Sequence, residues 1–282
     1  SVSEGALTVN GEAHTAELTV TREEADGVYW RVWLRRLHTP IERAFTMSVR
    51  RYSAGAAKRI ADRYGEMYAA KQAAFDAGVK QKALTDVEIE KLMSWLEEAA
   101  LMNDALKPIY EEAVRRGYED AASRVGVTDE GSVVQSTLVR QSVETLLGRW
   151  EETTQKFVLD IIQQGVDEGL TVTEIQKSLI ESRAYDPVRA LRVARTETTR
   201  TLNAAASAAY NQAALNGTPL KRKWVSARDD HVRDSHRVLD GTIINPGERY
   251  FSINGGSAEF PGGFGSGSED INCRCVEQEI FE

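Results

Sequence analysis

Three short segments hold most of the side chains that could do chemistry. In DDHVRDSH, the residues Asp229, Asp230, His231, Arg233, Asp234 and His236 fall within eight positions. Carboxylates and imidazoles spaced this way could bind a metal or move protons. No HExxH, CxxC, nucleophile elbow or phosphate loop accompanies them, and a solvated polar loop would have the same composition. The second segment, NCRC, contains the only two cysteines, Cys273 and Cys275. In extended chain they share a face but stand ~6.5–7 Å apart, too far for a comfortable bridge between them. A reducing compartment follows, with metal binding or plain burial as the use of the thiols. His236, Cys273 and Cys275 supply three zinc-type ligands, and Asp230 could be a fourth. The third segment is RVARTETTRTLNAA, where Arg192, Arg195, Glu197, Arg200 and Asn203 are spread over helix turns. Glu197 and Arg200 can pair at i, i+3, usually worth only ~0.2–0.5 kcal/mol. Nothing there pairs a nucleophile with a base.

These segments need a scaffold, and the pattern upstream is helical. Ser1 to Asp26 is polar, with HTAELTV reading as a short strand, an extended arm or a tail. Tyr29, Trp30, Trp33, Leu34 and Leu37 then recur at helical spacing, as core with arginines at its rim or as an interface anchor, and Pro40 is placed to open the next helix. Pro40 to Arg124 is rich in good helix formers. Thr85 with Glu88, and Thr171 with Glu174, form capping boxes. Pro108 starts or bends a helix, and another runs from Val133 until Gly165 and Gly169 weaken it. Asp186-Pro187 marks the start of the helix that carries the arginine-rich segment, and Asn216-Gly217 its end. Beyond it, KRKWVSA, ERYFSI and INCRCVEQEIF read as strands and GGSAEFPGGFGSGS as a glycine loop. The expected class is α+β: an arm over 1–27, a long helical region over 28–183, then a small α+β domain over 184–282 with a short antiparallel sheet.

The 282 residues allow one or two domains with real cores. No apolar run reaches the ~20 residues needed to cross a bilayer, and no signal peptide is visible. Net charge is −8, yet Arg183 to Arg237 carries +6, leaving −14 elsewhere. An acidic body with a basic segment suits a protein lying near nucleic acid without coating it, or simply a solvated helix face and a basic strand. Any DNA contact, through Lys221, Arg222 and Lys223, is expected to be weak, non-specific and salt-sensitive.

The order of these segments resembles the phage Mu F-like minor head proteins, also called phage head morphogenesis proteins. The resemblance is carried by Arg195-Thr196-Glu197 with Asn203 downstream, Trp224, Asp230 to His236, Asp240-Gly241 and Asn272 to Cys275, and covers about the last third of the chain. Some relatives have a Cys-x-x-Cys pair before the Asp-Gly, where Arg233 and His236 stand here, so a zinc site would lack one thiolate. The resemblance implies a non-enzymatic virion protein of a tailed phage or prophage. It would sit inside the capsid near the portal, after assembly in the host cytoplasm, and act in head assembly and DNA packaging or ejection. Its partners would be the portal and capsid proteins, with no membrane. The alternatives are a metal-dependent hydrolase or nuclease using Asp230, His231 and His236, and a toxin-delivery module; the absence of a further domain after NCRC counts against a complete toxin. Arg195, Glu197, Asn203, Asp230, Arg233 and His236 are expected to form one structural polar network. No cofactor is expected, because a structural zinc wants four ligands where three soft ones stand, and Arg233 would set a positive charge beside them; zinc stays open if an aspartate completes the site.

Overall fold

The computed structural model describes residues 21–78, 85–182 and 185–281, together with the backbone of a short hairpin. That hairpin pairs β1 (Leu7–Val9) with β2 (Glu12–His14), antiparallel, Leu7 opposite His14. Of HTAELTV, residues 15–20 lie outside the described residues, as do Arg183 and Ala184.

The first helix begins earlier than its hydrophobic pattern suggests. α1 spans Arg22–Trp33 because Thr21 and Glu24 close a reciprocal capping box, a signal hidden in the polar stretch before Val28. The expected 1–27 arm is therefore too long. A π-helical turn, Leu34–His38, follows and runs directly into α2 (Thr39–Asp76). Pro40 is the cause: it lacks an N–H and its ring would crowd the preceding turn, which widens to admit it. Next come α3 (Asp86–Met93), capped by Thr85 and Glu88, and α4 (Trp95–Val125), which passes through Pro108. Ser94, in the left-handed region at φ 41°, breaks what reads as one helix into these two. α5 (Ser132–Asp167), α6 (Val172–Ile180) and α7 (Pro187–Leu215) complete the helical part.

These helices bury one large core. Phe45 on α2 meets Tyr110 on α4 edge-on, ring centroids 4.7 Å apart. α7 packs most extensively on α4, and its small buried residues Ala194, Ala205, Ala209 and Ala213 allow close approach. At Gly117 of α4 an added Cβ would lie 3.0 Å from the Leu202 carbonyl and 3.1 Å from the Ala205 Cβ. The buried Glu98 carboxylate lies among Arg59 at 2.6 Å, Arg63 at 3.1 Å and Tyr52 at 3.2 Å.

The remainder is a small β-containing layer laid on α7. β3 (Leu220–Val225) is the centre of a three-stranded antiparallel sheet in the order β4-β3-β7, with β4 (Ile243–Ile244) and β7 (Val276–Phe281) beside it. Leu220 faces Phe281 and Val225 faces Val276. β5 (Tyr250–Phe251) and β6 (Ser257–Ala258) form a separate pair, and α8 (Asp234–Leu239) and α9 (Gly267–Asp270) are short. The class is α+β. Packing nevertheless runs across the 183/184 position. α7 contributes to the helical core, while its Leu202 joins Trp33, Val225 and Val276 in a second cluster. The Trp-rich helix is core rather than a free anchor: Trp30 Nε1 donates to the Arg274 carbonyl at 2.7 Å.

Candidate functional site

One face of α7 holds the NCRC backbone. Thr196, Thr199 and Asn203, spaced i, i+3 and i+7, lie on one stripe of the helix. Thr196 Oγ1 accepts from the Asn272 amide at 3.1 Å. Thr199 Oγ1 donates to the Cys273 carbonyl at 2.6 Å, and Asn203 Nδ2 to the Cys275 carbonyl at 2.9 Å. Asn272 takes the left-handed conformation, φ 59°, which asparagine tolerates better than most residues. The glycine loop is packed rather than free. Gly262, at φ +85°, lies so close to Arg200 that a Cβ would be 3.2 Å from its Cα.

Held this way, the two thiols meet the α8 histidine. His236 Nδ1 lies 3.5 Å from Cys275 Sγ and 3.7 Å from Cys273 Sγ. The three potential ligand atoms are all within 4.8 Å of one another, and all three residues are buried. Both cysteines are free thiols, placed just before β7 rather than within it. The other edge of the ring, Nε2, is 3.1 Å from Glu269 Oε2, at an angle too poor for a full hydrogen bond. Ser235 and Ser252 donate to the Glu269 carboxylate at 2.8 and 2.9 Å, and Asn254 at 2.7 Å. Burial pushes that carboxyl up, but these donors and the nearby imidazole bring it below its ordinary value. Hydrogen bonding from Cys275 and then from His236 lowers the Cys273 thiol, whereas burial raises that of Cys275. Trp224 packs edge-on against the imidazole, centroids 5.2 Å apart.

The expected six-residue network is not one network. No side-chain hydrogen bond or ion pair joins any two of the described residues Arg195, Glu197, Asn203, Asp230, Arg233 and His236; Arg233 and His236 share only the backbone bond at the start of α8, 3.0 Å. Arg195 reaches Glu42 on α2 at 3.4 Å. Glu197 accepts from Tyr110 Oη on α4 at 2.8 Å and pairs closely with Arg200. Arg233 donates to the Ile271 carbonyl and Asp230 is exposed. The reason is helical geometry: residues 195, 197 and 203 point to different sides of α7, toward different neighbours. The contact between DDHVRDSH and NCRC is instead made by Asp229 and Arg274, bidentate at 2.5 and 2.6 Å. Their opposite charges were the available signal, but nothing local distinguishes Asp229 from Asp230.

Nor do Asp230, His231 and His236 converge as a hydrolytic centre. His231 is exposed, and with His236 it lines a small cavity to which Asp230 does not contribute. Asp230 is likewise absent from the thiol–imidazole cluster, which removes it as the fourth metal ligand.

The basic tripeptide is an internal feature. Arg222 is 1% exposed; it bonds Ser207 at 2.6 Å and the Glu248 carbonyl at 2.8 Å, and lies 3.3 Å from Glu277. Lys223 is buried against Asp26 of α1, which also pairs with Arg228 at 2.9 Å. Lys221 is half-buried and has interactions of its own. The charges of Arg222 and Lys223 answer buried carboxylates, so those two side chains cannot reach phosphate. Burial pushes the Glu277 carboxyl up to about 7, against the pull of Arg222.

With this geometry in place, similarity to known proteins can be read residue by residue. Residues 156–278, from the last turns of α5 into β7, match the family described as Phage Mu protein F like protein. This region is Mu F-like. The match takes in α6 as well as the last third of the chain. The minor head protein GP7 of Bacillus phage SPP1 is a homologue, 26% identical over 199 residues, covering 70% of this chain and 64% of that protein. The NAD(+)–arginine ADP-ribosyltransferase EFV of Enterococcus faecalis is 32% identical over 151 residues, 54% of this chain and 31% of that protein. The protein YqbB of Bacillus subtilis is 30% identical over 134 residues, 46% of this chain and 43% of that protein. The chain thus spans between 31% and 64% of the length of these relatives. No solved structure matches.

Proposed function

We propose that this chain acts as a non-enzymatic minor head protein of a tailed phage or prophage, bound at the portal vertex inside the capsid. There it would contact portal and capsid proteins and serve head assembly and DNA packaging or ejection. The observation that carries this reading is the match to GP7, which runs over 70% of the chain and so extends beyond the Mu F-like region into the upstream helices. The geometry agrees with a structural role. Thr196, Thr199 and Asn203 of the arginine-rich helix are engaged with the NCRC backbone, and Glu197 with Tyr110 and Arg200. DNA contact through Arg222 and Lys223 forms no part of this proposal, since both are buried. The test is co-expression with the portal and major capsid proteins of the parent phage, followed by purification of portal rings and particles. The chain should co-purify with the ring and with assembled heads. Heads of normal composition formed without it, and no retention on the portal, would refute the reading.

A second reading is favoured by one observation. The 151 residues shared with the ADP-ribosyltransferase make up 31% of that protein, as they would if a head-type module were linked to an enzyme. In that case the present chain is a delivery module. Incubation with NAD and an arginine-containing acceptor peptide tests what both readings share: nicotinamide release by the purified chain would contradict a non-enzymatic role.

A further inference from the structure

We propose that His236, Cys273 and Cys275 form a structural zinc site, with Glu269 orienting the histidine and water in the fourth position. The inference does not depend on the head-protein reading. It begins with a valence problem. Both sulfurs approach the same imidazole nitrogen, Nδ1, at 3.5 and 3.7 Å. That nitrogen has either one lone pair or one proton, so it serves one sulfur well but not both, and the remaining partner is the other thiol. A metal ion among the three atoms removes the conflict: both thiols bind as thiolates and the lone pair binds as the third ligand.

The distances suit that arrangement. Ligands at ~2.3 Å for sulfur and ~2.0–2.1 Å for nitrogen, set at a tetrahedral angle, lie about 3.6 Å apart. The two observed sulfur–nitrogen distances fall on either side of this value. Two thiolates and an imidazole in a tetrahedral arrangement select zinc over the oxygen-seeking cations.

The surroundings complete the case. If Nδ1 binds the metal, Nε2 carries the proton, and it lies 3.1 Å from Glu269 Oε2. A carboxylate behind a metal-bound histidine is the usual way of fixing its tautomer and ring orientation. Glu269 is itself held by Ser235, Ser252 and Asn254. The two cations at the cluster have partners of their own: Arg233 binds the Ile271 carbonyl and Arg274 pairs with Asp229. Beside the three ligands is a cavity of about 10 Å3, also lined by Ala227, His231, Val232, Arg233, Asn272 and Arg274. That is room for about one water. Zinc here would pin α8 to the segment that leads into β7.

The test uses the full chain, expressed with zinc and purified without chelators. About one zinc per chain is expected by elemental analysis, held by three protein ligands with water in the fourth position. Cys275→Ser should lose it. Because that variant could fail to fold, zinc in the unaltered chain should also be replaced with cobalt(II). Thiolate-to-cobalt charge-transfer bands and intense tetrahedral ligand-field bands are expected. Glu269→Gln keeps all three ligands and should bind roughly 10–100-fold more weakly. Folded protein that takes up neither zinc nor cobalt, with both thiols free or joined in a disulfide, would overturn the proposal. So would cobalt bands that persist in Cys275→Ser.

Discussion

Asn203 and Cys275 are joined at 2.9 Å, the side-chain Nδ2 donating to the backbone carbonyl, while Asn203 Oδ1 accepts the Glu277 amide at 3.0 Å. From within a helix, one carboxamide makes the paired contacts that a neighbouring strand would make. It also donates to the Pro261 carbonyl at 3.2 Å, so the helix, the glycine loop and the terminal segment share one anchor.

Aspartate at this position could accept but not donate. Asn203→Asp should therefore lower the unfolding free energy by at least ~1–3 kcal/mol, the usual penalty for buried groups left without partners. Urea denaturation followed by circular dichroism measures it. A shift within experimental error would mean that the amide contacts contribute nothing.

Glu197 and Asp230 should behave as opposites. Removing the Glu197 carboxylate leaves the Arg200 guanidinium, which is 13% exposed, without its counter-charge. Glu197→Ala should cost ~3–5 kcal/mol, the range found when one member of a buried pair is removed. Asp230→Ala, at an exposed site, should stay within ~0.5 kcal/mol of the parent. Equal effects from the two variants would contradict the separation of these residues.

Gly117 tests the contact between α4 and α7. A methyl group there meets backbone at 3.0 Å, and two long helices cannot separate locally at little cost. Gly117→Ala should destabilise by ~1–3 kcal/mol despite its better helix propensity. A rise in melting temperature would show that the helices can move apart.

Two buried groups should bend the pH profile of stability in opposite directions. Glu277 is pushed from 4.5 to about 7, mainly by burial, so the folded chain keeps a proton that the unfolded chain releases. Its contribution falls as pH rises between those values. His38 is lowered from 6.5 to about 3 by burial, then by Arg195 and Arg274, although Glu42 lies 3.4 Å from its Nδ1. Its Nε2 faces Thr199 Oγ1 at 3.0 Å, whose proton goes to Cys273, so Nε2–H is the donor of a neutral ring. Its contribution is lost as pH falls from 6.5 toward 3. Unfolding free energies measured against pH for Glu277→Gln and His38→Gln should each differ in slope from the parent, with opposite signs. Parallel profiles would show that neither group titrates as described.

The sequence by itself determined the helices, their capping boxes at Thr85 and Thr171, the change of character after Gly217, and the order of motifs that marks the Mu F-like region. Each of these depends on residues within a few positions of one another, where propensity, capping and spacing act directly. Partner choice depended on tertiary structure. Lys223 and Arg222 read as a surface for phosphate until the fold sets them against Asp26 and Glu277, carboxylates distant in sequence. Asp229, rather than Asp230, meets Arg274 because the turn before α8 aims one carboxylate at NCRC and the other at solvent. His236 and the two thiols could be named from residue type alone. Their convergence on one nitrogen required α7 to hold the NCRC backbone through Thr196, Thr199 and Asn203. Buried polar groups must be satisfied wherever the packed chain brings them, and local sequence does not encode which distant partner arrives.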